Sequence, residues 1–238
     1  MIEPRHVVGA LPGLVVGALA AEAEAVFARI DARIARVGPF AAGDVLPPGV
    51  PWVPTASSVG LGALREVDSI VDDVIAALEP ALTEALGGPP LALRGSAWLR
   101  RQRPPRDAPP WHAAHSWHQD GALGFDFARD DPRAPGALAP MITCWLPLGA
   151  CGEDAPGLGW VRARPTRLLT PAELAVPRQA EVALVLDPGD ALLFGGDLLH
   201  ATWRTDAMTR TRVSVELRFV RADAVPPRLR RFVGVDWQ

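Results

Sequence analysis

The sequence predicts a mainly β protein in which N-terminal helices pack on one face of a β-sandwich or jelly roll. Helical periodicity is confined to roughly the first ninety residues, whereas short apolar or alternating runs, separated by glycine and proline, follow from residue 91. This order is typical of a β core with helices added on one face. The length of 238 residues fits one domain. We predict a helical part at about 1–90, a jelly-roll core at about 91–222 and a tail at 223–238.

Two helices are predicted in the N-terminal part. The run GLVVG, residues 13–17, has the character of a short strand, and segment 20–38 after it has helical spacing and ends at a glycine. The proline-rich segment 43–60 is a loop, because each proline fixes its own φ and removes a backbone donor. The second helix covers 64–88, with a kink or break at Pro80. Its apolar residues on one face are Val67, Ile70, Val74, Leu78 and Leu82.

The β core is predicted as a series of short strands. They lie within 91–102, 116–125, 141–149, 157–165, 181–196, 198–204 and 211–220. In the last segment four apolar residues alternate with four polar ones between Arg212 and Phe219, which is the pattern of a strand with two different faces. Helical signal within the core is limited to 170–176. Segments 39–60 and 126–140 are predicted to be loops that cover a site.

Composition and charge exclude several classes of protein. A net charge of −3 argues against a broad basic face for nucleic acid. The apolar N-terminal run is broken by Pro12 and is too short to span a membrane, so we predict neither a membrane partner nor a signal peptide. Cys144 and Cys151, without a secretory framework, predict free thiols and a cytoplasmic location. All 24 basic residues are arginine, which makes each arginine a weaker indicator of function.

Histidine is concentrated in one stretch, WHAAHSWHQDGALGF, residues 111–125. Residues two apart in a strand point to the same side, so His118 and Asp120 can converge on one point. His200 follows a turn after the apolar run ALLF and can supply a third ligand. Two histidines and one carboxylate form the facial triad of non-haem Fe(II) oxygenases, which leaves coordination positions open. We predict a metal site of these three residues; the alternative is three unrelated polar side chains.

An arginine at the start of the last predicted strand is a candidate for binding a carboxylate. Arg212 could form a two-pronged salt bridge with the distal carboxylate of a dicarboxylate. Arg210 lies on the same side and is the competing candidate. An ordinary surface charge is the alternative in a chain this rich in arginine.

The order of these residues resembles that of the phytanoyl-CoA dioxygenase family of Fe(II)/2-oxoglutarate-dependent oxygenases. The resemblance covers about 91–220, and its most specific segments are WHQD, PGDALLFGGDLLHA and RVSVELRF. It implies a double-stranded β-helix, a jelly roll of cupin-like form. It also implies that His118, Asp120 and His200 hold Fe(II) and that Arg212 anchors 2-oxoglutarate.

The resemblance implies two further contacts with 2-oxoglutarate. Trp145, in CWLPL, stands where the family places an aromatic residue beside the cosubstrate, and Thr202 matches a small hydroxyl residue that can touch it. A core aromatic is the alternative for Trp145. Halogenating relatives have a small residue at the carboxylate position, so Asp120 favours hydroxylation. Segment 156–168 departs from the family's GSH-like turn and 100–115 does not align with the family, which puts the identity of the substrate in question.

Four residues are candidates for contact with substrate: His112, His115, Trp117 and Arg100. The two histidines could bind substrate or act as acid–base groups near the iron, and a solvated loop is the alternative. Trp117, together with Trp111, could wall an apolar pocket or belong to the core. Arg100 could clamp substrate or belong, with Arg101 and Arg103, to a solvated or ion-paired cluster.

The predicted function is that of an Fe(II)/2-oxoglutarate-dependent dioxygenase. It would use dioxygen to oxidise, most simply to hydroxylate, a C–H bond of a small molecule, with decarboxylation of 2-oxoglutarate to succinate and CO2, in bacterial natural-product biosynthesis. Two alternatives stay open: a cupin-type metal oxygenase or isomerase that does not use 2-oxoglutarate, and a non-catalytic small-molecule binding protein on the same fold. No nucleic-acid partner and no particular oligomeric state are predicted.

Overall fold

The computed structural model describes residues 2–37, 57–109, 112, 114–123, 138–235 and 237. Both predicted covering loops, 39–60 and 126–140, lie almost wholly outside these residues, as does Trp111. The described helices are α1 (Gly13–Val37), α2 (Val67–Leu86) and α3 (Pro171–Leu174). The described strands are β1 (Arg5–Val7), β2 (Ser58–Gly60), β3 (Pro90–Ala92), β4 (Trp98–Gln102), β5 (Ile142–Pro147), β6 (Gly157–Trp160), β7 (Val182–Ala183), β8 (Ala191–Gly195), β9 (His200–Trp203) and β10 (Arg212–Arg221).

The predicted strand at 13–17 is wrong, because these residues form the first turns of α1. The Pro12 carbonyl accepts hydrogen bonds from the backbone N–H groups of Val15 and Val16, so the helix begins directly after the proline. The apolar residues then follow helical spacing rather than alternation. Those that are buried on this face are Val16, Leu19, Ala23, Val26, Phe27 and Ile30. The N-terminal strand is instead β1, which pairs antiparallel with β8.

The second predicted helix is confirmed, and Pro80 does not split it. Ile70, Val74, Leu78 and Leu82 are buried along one face of α2. Pro80 and the residue four positions earlier are both exposed, so the carbonyl that loses its helical partner lies on the solvent side. The helix ends at a glycine in the left-handed conformation, with φ 69°.

Two antiparallel sheets form the rest of the described fold. The larger has the order β1-β8-β5-β10-β4-β2, with β3 also paired to β10, and the smaller has the order β7-β6-β9. From β5 onward the chain passes repeatedly between them, because β5, β8 and β10 belong to the larger sheet while β6, β7 and β9 belong to the smaller. The prediction of a mainly β protein is therefore confirmed.

The two faces of β10 differ in chemistry, and both are buried. Val215, Leu217 and Phe219 pack with apolar residues of α1 and α2 in the main core. The opposite face carries four buried polar residues, Arg212, Ser214, Glu216 and Arg218. Across the strand pairs this polar face continues through Arg100 on β4 and Thr143 and Trp145 on β5. The helices thus cover the apolar face of the larger sheet, and the polar face is turned towards the interior between the sheets.

Two further predictions concern the thiols and the membrane. Cys144 and Cys151 are buried free cysteines. Among the described residues, no helix combines the length and apolar character needed to cross a membrane.

Candidate metal centre

The three predicted ligands lie together at one end of the interior between the sheets. His118 and His200 exchange two backbone hydrogen bonds of 3.0 and 3.1 Å, so the segment before Asp120 pairs with the start of β9. Asp120 then begins a short 3₁₀ helix, Asp120–Ala122. One ligand atom from each of the three side chains lies within 4.8 Å of the others. The described residues therefore contain a His–Asp–His arrangement that could hold a metal ion.

The hydrogen bonds of both histidines fix the tautomer that a metal needs. His118 Nδ1 lies 2.7 Å from the Ser116 carbonyl oxygen and His200 Nδ1 lies 3.0 Å from the Leu198 carbonyl oxygen. A carbonyl only accepts, so Nδ1 carries the proton in each ring and Nε2 keeps its lone pair. Burial, and to a lesser extent His200, lower the pKa of His118 to about 4, which keeps this imidazole neutral at pH 7.

Asp120 is held at both carboxylate oxygens. Arg218 donates to Oδ1 at 2.9 Å, and the Thr143 hydroxyl donates to Oδ2 at 2.5 Å. Burial alone would raise the pKa of Asp120, but Arg218 and the two histidines outweigh burial and hold the pKa well below its usual range. The carboxylate is therefore ionised and fixed in orientation, as a metal ligand must be.

A small cavity adjoins the three side chains. Its volume is about 20 Å³, which is enough for an ion or a water molecule. Apart from the three candidate ligands, its polar and aromatic lining comprises Arg100, His115, Thr143, Trp145, Phe194, Thr202, Arg212 and Glu216. The structure thus brings Arg212, Trp145, Thr202, His115 and Arg100 to the site. It places His112 and Trp117 outside the cavity lining.

Arg212 and Arg210, which the sequence left as competing candidates, lie in different environments. Arg212 is buried, and its guanidinium lies 5.0 Å from the centroid of the Trp145 ring. Burial lowers its pKa to about 10, so it remains a cation at neutral pH. Arg210 is exposed and pairs with Asp154 at 3.3 Å. Of the two, only Arg212 faces the cavity.

Several buried polar atoms around Arg212 have no hydrogen-bond partner among the described residues. They are Arg212 Nε, Ser214 Oγ, Trp145 Nε1 and both polar atoms of the Gln102 amide. Gln102 lies directly opposite Arg212 in the pairing of β4 with β10. Sequence reasoning missed Gln102 and Ser214, although Ser214 follows Arg212 by two residues on an alternating strand and so had to share its face. Buried groups of this kind normally find partners, and together they fit a ligand that carries a carboxylate.

Arg100 and His115 contact each other inside the cavity. Arg100 Nη1 hydrogen-bonds to His115 Nε2 and to the Ser58 hydroxyl, the latter at 2.9 Å. The Arg100 guanidinium also pairs with Glu216, with Nε 2.6 Å from Oε2. Burial and then Arg100 depress the pKa of His115 far below its usual value, so the imidazole is neutral. Of the alternatives for Arg100, the structure thus shows an ion pair, and it is buried.

Trp117 is not among the residues that line the cavity. It is half-buried, and the Arg178 guanidinium lies 6.0 Å from the centroid of its ring. The predicted contact of Trp117 with substrate stays a prediction.

His112 is buried, and its ring nitrogen Nε2 accepts a hydrogen bond of 3.3 Å from the backbone N–H of Arg103. Burial, followed by Arg101 and Arg103, lowers its pKa from 6.5 to about 4. Between these two pH values the unfolded chain binds a proton that the folded chain does not. The neutral, buried His112 therefore lowers the free energy of unfolding progressively as the pH falls from 6.5 towards 4, and this loss is absent above pH 6.5.

We expect His112→Gln, which keeps an acceptor for the Arg103 N–H, to weaken this acid sensitivity. Urea unfolding measured at several pH values between 4 and 6.5 should show nearly one proton less taken up on unfolding in the variant. An unchanged pH slope would contradict the assignment of this depressed pKa to His112.

Gly121 permits the close approach of the segment that carries Asp120 to the segment that leads to His200. Its backbone N–H donates to the Gly196 carbonyl at 2.8 Å. A Cβ at Gly121 would lie 2.7 Å from that same oxygen and 2.8 Å from a methyl carbon of Leu138. A glycine directly after Asp120 in the sequence was the available signal, and sequence reasoning did not use it.

Gly121→Ala is therefore expected to destabilise the protein by about 1–3 kcal/mol and to weaken metal binding, because the two segments must move apart. Urea unfolding and metal titration would measure the two effects. Gly17→Ala is the matched control, since Gly17 is an exposed glycine within α1 with nothing within 4 Å of an added Cβ. The control should be neutral or stabilising by up to about 1 kcal/mol.

The fold is similar to that of solved enzymes that depend on or bind 2-oxoglutarate. The epimerase SnoN, solved with Fe3+, α-ketoglutarate and nogalamycin RO, superposes with a TM-score of 0.57 at 16% identity over 94% of this chain and 82% of that one. The carbocyclase SnoK from nogalamycin biosynthesis gives 0.58 at 18% identity over 92% and 79%. HygX from Streptomyces hygroscopicus, solved with nickel and 2-oxoglutarate, gives 0.56 at 15% identity over 93% and 84%.

At these identities the likeness shows a shared fold. No model of a protein family matches the chain, and no curated protein matches it. Membership of the phytanoyl-CoA dioxygenase family, which the motifs predicted, is therefore not confirmed.

Proposed function

We propose that the chain is a non-haem Fe(II)/2-oxoglutarate-dependent oxygenase, formed as a single domain over residues 1–238. The repeated passage of β5 to β10 between two antiparallel sheets supports a double-stranded β-helix core. The observation that carries the proposal is a buried cation, Arg212, that shares a cavity with the three candidate metal ligands and has no carboxylate within ion-pair distance among the described residues.

Three side chains would hold the iron. His118 and His200 would offer Nε2, because each Nδ1 is committed to a backbone carbonyl. Asp120 would offer a carboxylate whose orientation Thr143 and Arg218 fix. Two imidazoles and one carboxylate suit Fe(II) and leave coordination positions for other ligands. When bound, the iron would supply the Lewis acidity and the redox chemistry that couple dioxygen to decarboxylation of the cosubstrate.

The donors around Arg212 fit the distal carboxylate of 2-oxoglutarate. Arg212 can bind a carboxylate through two parallel N–H donors, and the Ser214 hydroxyl is free to donate a further bond. Trp145 and Thr202 would border the cosubstrate, since both line the cavity. The present volume of about 20 Å³ is too small for a five-carbon acid, so His115 and Arg100 are expected to shift when it binds.

We propose that the substrate is a small molecule of natural-product metabolism and that the reaction is hydroxylation of a C–H bond. Support comes from neighbours that act in nogalamycin biosynthesis and from HygX, which was solved with hygromycin B bound. These neighbours include an epimerase and a carbocyclase, so the fold accommodates several outcomes. Asp120 supports hydroxylation over halogenation, because a ligand is present where a halide would bind. The free thiols Cys144 and Cys151 support a reducing, cytoplasmic location.

Anaerobic titration with Fe(II) and 2-oxoglutarate tests the proposal. We expect the pair to raise the melting temperature together and to produce a weak visible charge-transfer band. A screen of small molecules should then find one that accelerates succinate release in the presence of dioxygen. Metal binding without any effect of 2-oxoglutarate would favour a metal enzyme that does not use this cosubstrate. Failure to bind a divalent metal would end the proposal.

A further inference from the structure

We propose that Arg218 is a positioning residue that fixes which oxygen of Asp120 is offered to the metal. This inference rests on the proposed function, because it assigns a role to a neighbour of the candidate metal ligand Asp120. Arg218 lies on β10, six residues after the candidate cosubstrate anchor, and its side chain is buried. Arg218 is not among the described residues that line the cavity.

The contacts of Arg218 and Thr143 leave one orientation for the carboxylate. Arg218 Nη2 donates to Asp120 Oδ1, and the Thr143 hydroxyl holds Oδ2. Oδ1 also lies 3.7 Å from His118 Nε2, on the side where the candidate ligands converge. Each carboxylate oxygen has two lone pairs, so Oδ1 can accept from Arg218 and still offer one lone pair to a cation. Rotation of the carboxylate would break both hydrogen bonds.

Arg218 is itself held by a buried network. Its Nη2 lies 3.5 Å from Glu216 Oε2, and its Nη1 donates to the Ser96 carbonyl at 3.2 Å. The same Glu216 oxygen lies 2.6 Å from Nε of Arg100, which lines the cavity. The charges of two arginines and two carboxylates therefore balance within the protein interior; the four residues are Arg100, Arg218, Asp120 and Glu216. A planar guanidinium can reach acceptors in different directions at once, which a lysine ammonium on a flexible stem does less well.

The sign of one measurement separates positioning from simple charge neutralisation. Removing a cation that lies next to Asp120 makes the site more negative, so at a pH where Asp120 stays ionised electrostatics alone predicts tighter binding of a divalent metal. Loss of orientation predicts weaker binding, and partners of metal ligands typically contribute about 10–100-fold in affinity. The electrostatic effect and the loss of orientation oppose each other. The positioning role requires that the loss of orientation be larger, so that the metal binds more weakly.

We therefore expect Arg218→Met to raise the Kd of the metal-free protein for Co(II) and Ni(II) by about 10–100-fold in calorimetric titration. The visible spectrum of bound Co(II), which reports ligand geometry, should change as well. Arg218→Lys keeps the charge without the planar fork and should weaken binding to an intermediate degree. Arg218→Met with Glu216→Gln keeps the network neutral and provides a second variant if the single variant does not fold.

Arg164→Met is the matched control. The Arg164 side chain is 9% exposed and also pairs with an aspartate, at 2.6 Å from Asp197, but Arg164 is outside the lining of the cavity that the three candidate ligands share. Its Kd for Co(II) should equal that of the unmodified protein. An equal or lower Kd in folded Arg218→Met or Arg218→Lys would overturn the inference. If the unmodified protein binds neither metal, it is the proposed function that fails.

Discussion

Replacing His200 with alanine is expected to abolish metal binding and, with it, the turnover of 2-oxoglutarate that we propose for this site. The imidazole is buried, donates from Nδ1 to a backbone carbonyl and so presents Nε2 to the cluster. Two ligands would remain, and a divalent ion held by only His118 and Asp120 loses one of its three directional bonds. Loss of a ligand should exceed the effect of losing a partner of a ligand, so we expect at least about a 100-fold rise in Kd.

Calorimetric titration of the metal-free protein with Ni(II) would measure this change. His6→Ala is the control, because His6 pairs with Asp190 at 2.8 Å, outside the cavity lining. The control should bind Ni(II) as the unmodified protein does. If His200→Ala retained the same Kd while remaining folded, the metal would be bound elsewhere and the assignment of all three ligands would fall.

Most strands of the core could be predicted from the sequence because each is short, apolar or alternating and bounded by turn residues. Two predictions are wrong: among the described residues of 116–125 only His118 makes a β-bridge and Asp120–Ala122 form a 3₁₀ helix, and Ser58–Gly60, at the end of the predicted loop 43–60, form β2. β10 shows why the environment of a strand could not be predicted in the same way. Its alternation correctly indicated two different faces, but alternation does not say whether a polar face meets water or other charges. Here the polar face is buried, and the partner that compensates Arg218 is Asp120, 98 residues away in the sequence. Pairing over that distance is a property of the tertiary structure.

The N-terminal error has a different origin. The run 13–17 is apolar and rich in β-branched valine, which favours a strand over such a short window. Pro12 directly before it is equally a signal for a helix start, and the buried positions recur at helical intervals once the window is extended through Ile30. The longer pattern, together with packing of α1 against the large sheet, outweighs the local preference.

The sequence predicted some residues of the site individually and others only as alternatives. The three ligands followed from their chemistry and order, whereas Arg210 and Arg212 could not be separated by spacing. The structure separates them because β10 begins at Arg212, so the strand alternation does not extend back to Arg210. Arg210 precedes the strand, and its backbone N–H donates to the Asp154 carbonyl. His112 and His115 are three residues apart in a segment without a described helix or strand, so neither helical nor strand periodicity could tell which of them faces the site. Of the two, only His115 lines the cavity.

Arg212→Met is expected to remove binding of 2-oxoglutarate while leaving the metal-free protein as stable as before, or more stable. The guanidinium is buried without an ion-paired carboxylate among the described residues, and its lowered pKa reflects the cost of burying that charge. Contact with the Trp145 ring offsets only part of this cost. An apolar side chain of similar length removes the cost from the folded state. The same change deprives the cosubstrate of its counter-charge, which we expect to cost about 2–5 kcal/mol, or roughly 30- to 5000-fold in affinity.

The opposite signs of the two effects make the experiment decisive. Thermal unfolding of the metal-free protein, with and without Ni(II) and 2-oxoglutarate, would measure both in one series. If Arg212 had a purely structural role, its substitution would lower the stability of the protein. It would not selectively change the response to 2-oxoglutarate. Arg210→Met is the matched control, because Arg210 is exposed and paired with Asp154, and its loss should leave both quantities unchanged. If Arg210→Met, and not Arg212→Met, abolished the response to 2-oxoglutarate, the carboxylate would bind at the exposed Arg210 and the buried Arg212 would need another partner.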